Sequence, residues 1–334
     1  MRNVDSIPPL VLIHLGRSIP LYVRISARRA AKSFPGLTYL LKNSPNRCTI
    51  RGVRTVDLRQ WYLPSRFEAF AKSSGFSEDF RDGFWLKTAE RFFVLHDWMS
   101  FSGHTKAIHI ESDVVVFGIY SLITRLDAVG MGIFIPRDAQ SRAVGSLVYI
   151  NKAEELSNMI SFFEMTGLIT NEMGLLAAYL DSEGGEKFSL PTADSIDASL
   201  RGSRPWTSLS ATDIGGVVDA AGLGQWVAGI DPRNTKKAIS NHFRNECNDL
   251  EFSNLRFRFD PMAQILWARV KGGGNVRVFN LHLHSKRTIF FLSQTALILL
   301  VKLSEIQRPI PLESSTLKRV RRGLLGLRRP KKLR

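Results

Sequence analysis

The chain has 334 residues, 44% hydrophobic and 23% charged, with a formal net charge of +16. That length can bury a large core and suits one large or two ordinary domains. Two cysteines, Cys48 and Cys247, exclude a disulfide framework, so a reducing, cytoplasmic compartment is the expectation.

The charge is unevenly placed. Residues 1–66 hold 12 Lys/Arg against 2 Asp/Glu, and residues 314–334 hold 9 Lys/Arg and no acid, while 67–313 hold 25 basic and 28 acidic residues. A near-neutral middle speaks against a nucleic-acid binder, which carries a basic stripe with interleaved aromatics on its folded face. No secretory leader is expected, because the apolar "PPLVLIHLG" is too short and lacks a small-residue cleavage site. No Cys/His run has zinc-site spacing, and no internal repeat or low-complexity tract is visible.

In chain order, "LVLIHLG" (10–16) reads as a buried first strand ending at Gly16. "SIPLYVRISARRAAKSF" reads as a helix, with Pro20 near its first turn and Pro35-Gly36 ending it. "LTYLLKN" (37–43) is a second strand and "CTIRGVRTVDL" (48–58) a third, an alternation that argues for an α/β sheet. Residues 66–102 are mostly helical. "KAIHIESDVVVFG" (106–118) is a strand interrupted by two carboxylates, and "MGIFIP" (131–136) and "SLVYIN" (146–151) are further strands. "KAEELSNMISFFEM" is an amphipathic helix, and "TNEMGLLAAYLDS" (170–182) is a second, with Thr170 and Asn171 able to cap it. From 190 to 254 the pattern is irregular. "GGGNVRVFNLHLHSK" (272–286) is a turn and then a strand. "TIFFLSQTALILLVKLSEI" (288–306) is an apolar helix, interrupted by Lys302, that leads into the basic tail and falls short of a membrane span.

Three constellations carry chemistry. In a strand, Glu111 and Asp113 point to one face, and at a strand's carboxyl end that face meets the ligand crevice of an open α/β sheet. Two carboxylates there suit Mg²⁺ or Mn²⁺; otherwise they merely end a strand at the surface. His282 and His284 share a strand face, which Lys286 would continue, so that one His can complete a metal site and the Lys can meet diphosphate charge; otherwise the two are partly buried histidines held by hydrogen bonds. Lys87 and Arg91, four apart on a helix, can contact phosphate; otherwise they belong to a solvated helix face. Glu172, after the cap, is either a site carboxylate or a favourable charge at a helix N-terminus.

Taken together, "FWLKTAERFFVLHDWM", "HIESDVVVF", "SLVYIN", "TNEMGLLAAYL", "DAAGLGQWVAGIDPRN" and "LHLHSK" resemble nucleotide-sugar-dependent glycosyltransferases of the GT-A fold, of the glycogenin and lipopolysaccharide galactosyltransferase type. "ESD" stands where that superfamily has its DxD motif. The resemblance implies an α/β fold with a mostly parallel central sheet flanked by helices, a Rossmann-like nucleotide half (8–118) and an acceptor and metal half (119–287), followed by the helix and basic tail of 288–334. It implies Glu111, Asp113 and His284 or His282 as ligands of Mn²⁺ or Mg²⁺, with Lys286 on the diphosphate. Gly16, Arg17 and Asn43 would lie by the nucleoside.

Three features depart from the family pattern. Glu replaces the first Asp, "HLHSK" stands for "HFxGxxKPW", and "NEMGLL" matches "DQDxxN" loosely. The implied activity is a metal-assisted hexosyl transfer from a nucleoside diphosphate sugar, with UDP-sugars foremost, to a hydroxyl of a saccharide or lipid-linked acceptor in polysaccharide biosynthesis. Asp219 or Glu172 would be the base of an inverting enzyme, and Gln225 a sugar-side contact. The tail suggests peripheral attachment to an anionic membrane surface. The competing readings are a basic nucleic-acid-binding or scaffold protein with a structural acidic strand, and a metal-dependent phosphohydrolase.

Overall fold

The computed structural model describes residues 7–166, 171–200, 204–231 and 247–286. The expected apolar helix of 288–306 and the basic tail lie outside the described residues.

The first strand, β1 (Leu10–His14), is apolar from Leu10 to Ile13, where both of its faces are covered. Leu10 and Leu12 join one hydrophobic cluster and Val11 and Ile13 another, as the two-residue period of a strand requires. The chain then forms α1 (Leu21–Ser33), β2 (Thr38–Lys42), β3 (Val53–Asp57), α2 (Ser65–Ser73), α3 (Phe84–Ser102) and β4 (Ala107–Ile110). β3, β2, β1 and β4 are successive parallel neighbours. The third strand starts at Val53 rather than at Cys48, since Ile50–Gly52 turn beforehand.

The acid-bearing stretch is not one interrupted strand: the strand ends before its carboxylates, one of the two readings the sequence left open. β4 ends at Ile110, and the Val114 N–H donates to the Glu111 carbonyl at 3.1 Å, closing a turn over Glu111–Val114. The following β5 (Val114–Val116) belongs to another sheet. Glu111 and Asp113 therefore lie on a turn between two sheets, and it is the turn, not strand alternation, that sets their direction.

Next come α4 (Ile119–Val129), β6 (Ile133–Ala139), β7 (Arg142–Ala143), β8 (Leu147–Ile150), α5 (Ala153–Met165), α6 (Glu172–Asp181) and β9 (Lys187–Leu190). β8 enters the main sheet antiparallel, between β4 and β6, and β9 runs parallel to β6. The central sheet is thus mostly parallel, with helices on both faces. α6 starts as expected from an Asn cap, the Asn171 side chain accepting from the Gly174 N–H at 2.9 Å.

Beyond residue 190 the chain forms short turns, α7 (Ala211–Ile214) and α8 (Gly222–Ala228), then the antiparallel sheet of β10 (Leu255–Asp260), β11 (Ile265–Val270) and β12 (Val276–Val278). β13 (Asn280–His282) pairs antiparallel with β5, setting His282 opposite Val114. The single strand expected over 276–286 is therefore two strands of different sheets, and it ends at His282. His284 and Lys286 follow in a turn in which the Lys286 N–H donates to the Leu283 carbonyl at 3.0 Å. Lys286 has φ 52°, so the three residues do not share a strand face.

A third core, including Val115, Phe117, Leu223, Leu266 and Leu281, locks α8, β13 and the small sheet together. α8 lies so close to β13 that a Cβ on Gly224 would come 2.0 Å from the His282 carbonyl oxygen. Gly224→Ala is therefore expected to cost about 2 kcal/mol by overpacking, measurable by urea denaturation. Among the described residues, no helix is long and apolar enough to cross a membrane.

Candidate active site

The carboxyl ends of β1 and β4 open onto a cavity of about 660 Å³ lined by His14, Tyr22, Phe80, Arg91, Glu111, Asp113, Glu172, Gln225, His282 and Lys286, among others. Its volume is in the range of small-molecule sites, and its position is the crevice where open α/β sheets bind ligands.

At its floor, the antiparallel pairing of β5 with β13 brings His282 to the acid turn. Its Nε2 lies 2.9 Å from Glu111 Oε2 and 3.3 Å from Asp113 Oδ1. Its Nδ1 donates to the Ala220 carbonyl at 2.7 Å. Burial alone would lower the imidazole's pKa, but the charges of Glu111 and Asp113 prevail and hold it protonated, well above its usual range. One ligand atom from each of Glu111, Asp113 and His282 lies within 4.8 Å of the others. With Nδ1–H fixed on a carbonyl, loss of the other proton leaves the Nε2 lone pair facing two carboxylates. That donor set fits a divalent cation, and the carbonyl partner fixes the required tautomer.

The surrounding cations are sorted by depth. Arg91 is 9% exposed; its Nη2 bonds Glu111 Oε1 at 2.5 Å and lies 3.8 Å from Glu172 Oε1. Burial would raise the Glu111 carboxyl, but Arg91 and His282 hold it well below the usual range. Lys286 Nζ, nearer the mouth, lies 3.5 Å from Asp113 Oδ2 and 3.7 Å from Asp231 Oδ2. For Asp113, too, the rise due to burial is outweighed, here by Lys286 and His282. Arg81 Nη1 lies 3.7 Å from Asp231 Oδ2, and Arg81 and Asp82 both have positive φ, 52° and 56°. Such backbone strain clusters at ligand sites. The cavity lining includes five Lys/Arg against four carboxylates, so added negative charge is tolerated there.

Glu172 is 2% exposed and its Oε1 has no hydrogen-bond partner. Burial pushes its carboxyl up to about 7, with Arg91 lowering it and Glu111 raising it. A folded state that keeps this proton to about pH 7, against 4.5 ordinarily, is stabilised at low pH and loses that stabilisation as pH rises through this window. Glu172→Gln removes the titration. Its stability relative to wild type should therefore be about 2–3 kcal/mol more favourable at pH 8 than at pH 5, read by denaturant melts at both values.

The structure brings Glu111, Asp113, His282, Arg91, Glu172 and Lys286 together. His284 also lines the cavity, its ring 4.1 Å from that of His282. Burial and the charge of His282 lower its imidazole to about 3, and its buried Nε2 has no hydrogen-bond partner. Lys87 lines the wall, its ammonium bonded to the Asp82 carbonyl. Gln225 lines it too, with Oε1 unbonded.

Gly16, Arg17 and Asn43 are adjacent to one another beyond β1, the Gly16 N–H donating to Asn43 Oδ1 at 2.8 Å and the Arg17 carbonyl accepting from Ser44 Oγ. They stand outside the cavity lining, which at the end of β1 includes Ile13, His14 and Leu15. Asp219 is fully buried and also outside the lining. Its carboxylate accepts from the N–H groups of Leu223, Gly224 and His282 at 2.9, 2.7 and 2.9 Å. Burial pushes it up to about 6 against these donors. It holds β13 to α8 rather than facing a substrate. Arg81, Arg142 and Tyr22 were not legible as site residues, because nothing local to them signals a ligand.

No protein-family model and no curated protein sequence matches this chain. Among solved structures it is similar to mouse xyloside xylosyltransferase 1 in its apo form, with TM-score 0.38 and 10% identity over 55% of this chain and 85% of that one. It is similar also to the PaToxG glycosyltransferase, with TM-score 0.32 and 13% identity over 61% of this chain and 81% of that one. Both neighbours are glycosyltransferases. Likeness at this level assigns neither an activity nor a substrate to this chain.

Proposed function

We propose that the chain is a metal-assisted glycosyltransferase of the GT-A kind, moving a sugar from a nucleoside diphosphate sugar, with UDP-sugars foremost, to a hydroxyl of a saccharide or lipid-linked saccharide. The observation that carries this reading is the Glu111–Asp113–His282 triad at the floor of a cation-lined crevice. Residues 8–118 form the nucleotide half and 119–287 the acceptor and metal half.

Glu111, Asp113 and His282 would hold Mn²⁺ or Mg²⁺, and the unbonded Nε2 of His284 is a further donor beside them. The ion, when bound, supplies Lewis-acid stabilisation of charge on a departing diphosphate. Lys286 and Lys87 add positive charge toward the same oxygens. Arg91 orients Glu111 and keeps it ionised. Glu172, the cavity carboxylate with an unbonded oxygen, is the residue suited to take the acceptor's proton, and Gln225 to bond a sugar hydroxyl. Asp219, consumed by three backbone donors, positions His282. Gly16, Arg17 and Asn43 would border the nucleoside. The basic tail, in this reading, assists peripheral attachment at an anionic cytoplasmic membrane face.

The test is a screen of UDP-, GDP- and dTDP-sugars with Mn²⁺ or Mg²⁺. Cation-dependent release of the nucleoside diphosphate from at least one donor is expected. Failure of every donor to bind or turn over sinks the proposal.

A further inference from the structure

The cavity accounts for only part of the chain's positive charge. Between residues 6 and 56 there are nine Lys or Arg and no Asp or Glu. α1 holds four of them and sorts them by face. Val23, Ser26, Ala27 and Ala30 are buried, and Arg29 turns inward, its guanidinium 6.0 Å from the Phe117 ring centroid. Leu21, Arg24, Arg28 and Lys32 are exposed. Positions 24, 28 and 32 recur every fourth residue and so make one row along the outside of the helix.

Arg47 and Arg51 are exposed as well and extend this surface. They flank Cys48 and Ile50, which pack in the cluster that contains Val23, Ala27 and Ala30. A Cβ on Gly52 would lie 3.4 Å from that of Ala31.

Among the described residues, none of these five cations makes an ion pair, whereas nearby Lys42 and Arg59 both pair with Asp57. Like charges at four-residue spacing repel, and Arg24, in the first turn, opposes the helix dipole. The row weakens its own helix, and local inconsistency of this kind marks functional surfaces. The N-terminal end of α1 stands at the cavity, since Pro20 and Tyr22 line it. Leu21, between them, points to solvent at 60% exposure.

We propose that this outer face of α1, with Arg47 and Arg51, docks on an anionic lipid bilayer. The basic row engages the headgroups, Leu21 inserts at the headgroup boundary, and the cavity's mouth is held beside the surface. The row carries an apolar anchor and no aromatic side chain on which a base could stack, which favours lipid over single-stranded nucleic acid. These residues lie far from the basic tail in sequence, and the inference stands whatever reaction the cavity performs.

The test uses the full chain and vesicles of phosphatidylcholine with or without phosphatidylserine, read by sedimentation. Wild type should bind only the anionic vesicles. The triple substitution R24Q/R28Q/K32Q should lower partitioning about a hundredfold. R258Q/R269Q/K271Q, removing the same charge from exposed positions of the β10–β11 region, should change it less than about threefold. Thermal melts check that both triples fold. Three results would overturn the proposal: no binding by wild type, equal losses in the two triples, or an α1 triple that keeps vesicle binding and loses only a single-stranded oligonucleotide. A chain inactive on every sugar nucleotide but showing the expected vesicle pattern leaves this inference intact.

Discussion

Asp113→Ala should reduce cation-dependent sugar-nucleotide turnover about a thousandfold, equivalent to about 4 kcal/mol of transition-state stabilisation. It should also weaken Mn²⁺ binding measured by calorimetry, while leaving the fold intact. The fold survives because, of the two partners it abandons, Lys286 has a side chain 26% exposed and can turn to water, and the buried His282 keeps Glu111 at 2.9 Å. Glu111→Ala should behave differently. Arg91 lies at 9% exposure and, among the described residues, would keep Glu172 at 3.8 Å as its ion-pair partner and the Thr88 carbonyl as its hydrogen-bond acceptor, so a buried charge loses its close partner. That loss is expected to destabilise by about 3 kcal/mol on top of the loss of turnover. Full activity in Asp113→Ala would sink the role given to the acid turn, and equal stability of the two variants would sink the distinction between them.

Asp219→Ala should be the most destabilising single change near the site, at about 4 kcal/mol. Three buried backbone N–H groups lose their acceptor at once. The Asp219 backbone is also held, its N–H and carbonyl exchanging two 2.9 Å bonds with the Asn280 side chain and its carbonyl accepting from Ser146 Oγ. The residue ties α8, β13 and the segment before β8 to one point. Asp219→Asn, with a single acceptor oxygen, should fall between wild type and alanine. Urea denaturation of the three proteins decides it; a loss of activity with unchanged stability would return Asp219 to a role in the chemistry.

The parallel half of the fold was legible because β1 and β2 are buried on both faces and so read as mostly apolar runs, as in "LVLI" and "YLL". The acids read as interrupting or ending a strand, but the turn that aims them was not legible because "VVV" resumes immediately after Asp113. Only the partner strand, far away in sequence, shows that β5 has left the main sheet. The β10–β11 hairpin was missed although "LRFRFD" alternates cleanly, with Leu255 and Phe257 buried and Arg258 exposed; its small sheet sits after a long irregular stretch that hides the register. In the site, the residue types Glu, Asp and His were readable from spacing. The depth ordering of the cations was not. Arg91 and Lys286 look alike in sequence, and only burial separates the one that steadies a carboxylate from the one near the mouth.

The turn between β4 and β5 has a consequence for how the protein comes into being. Glu111 and Asp113 are made about 170 residues before His282. Arg91, made earlier, can already meet Glu111, but at a ribosomal rate of roughly 5–20 residues per second both acids wait on the order of ten to thirty seconds for the strand that brings His282 to them. Until β13 arrives, β5 lacks its partner strand, and Asp113 lacks both cations that meet it, His282 and Lys286. The last part of the domain to emerge is therefore the part that closes the site, and a nascent chain halted before residue 280 holds a formed parallel sheet with no site at its end.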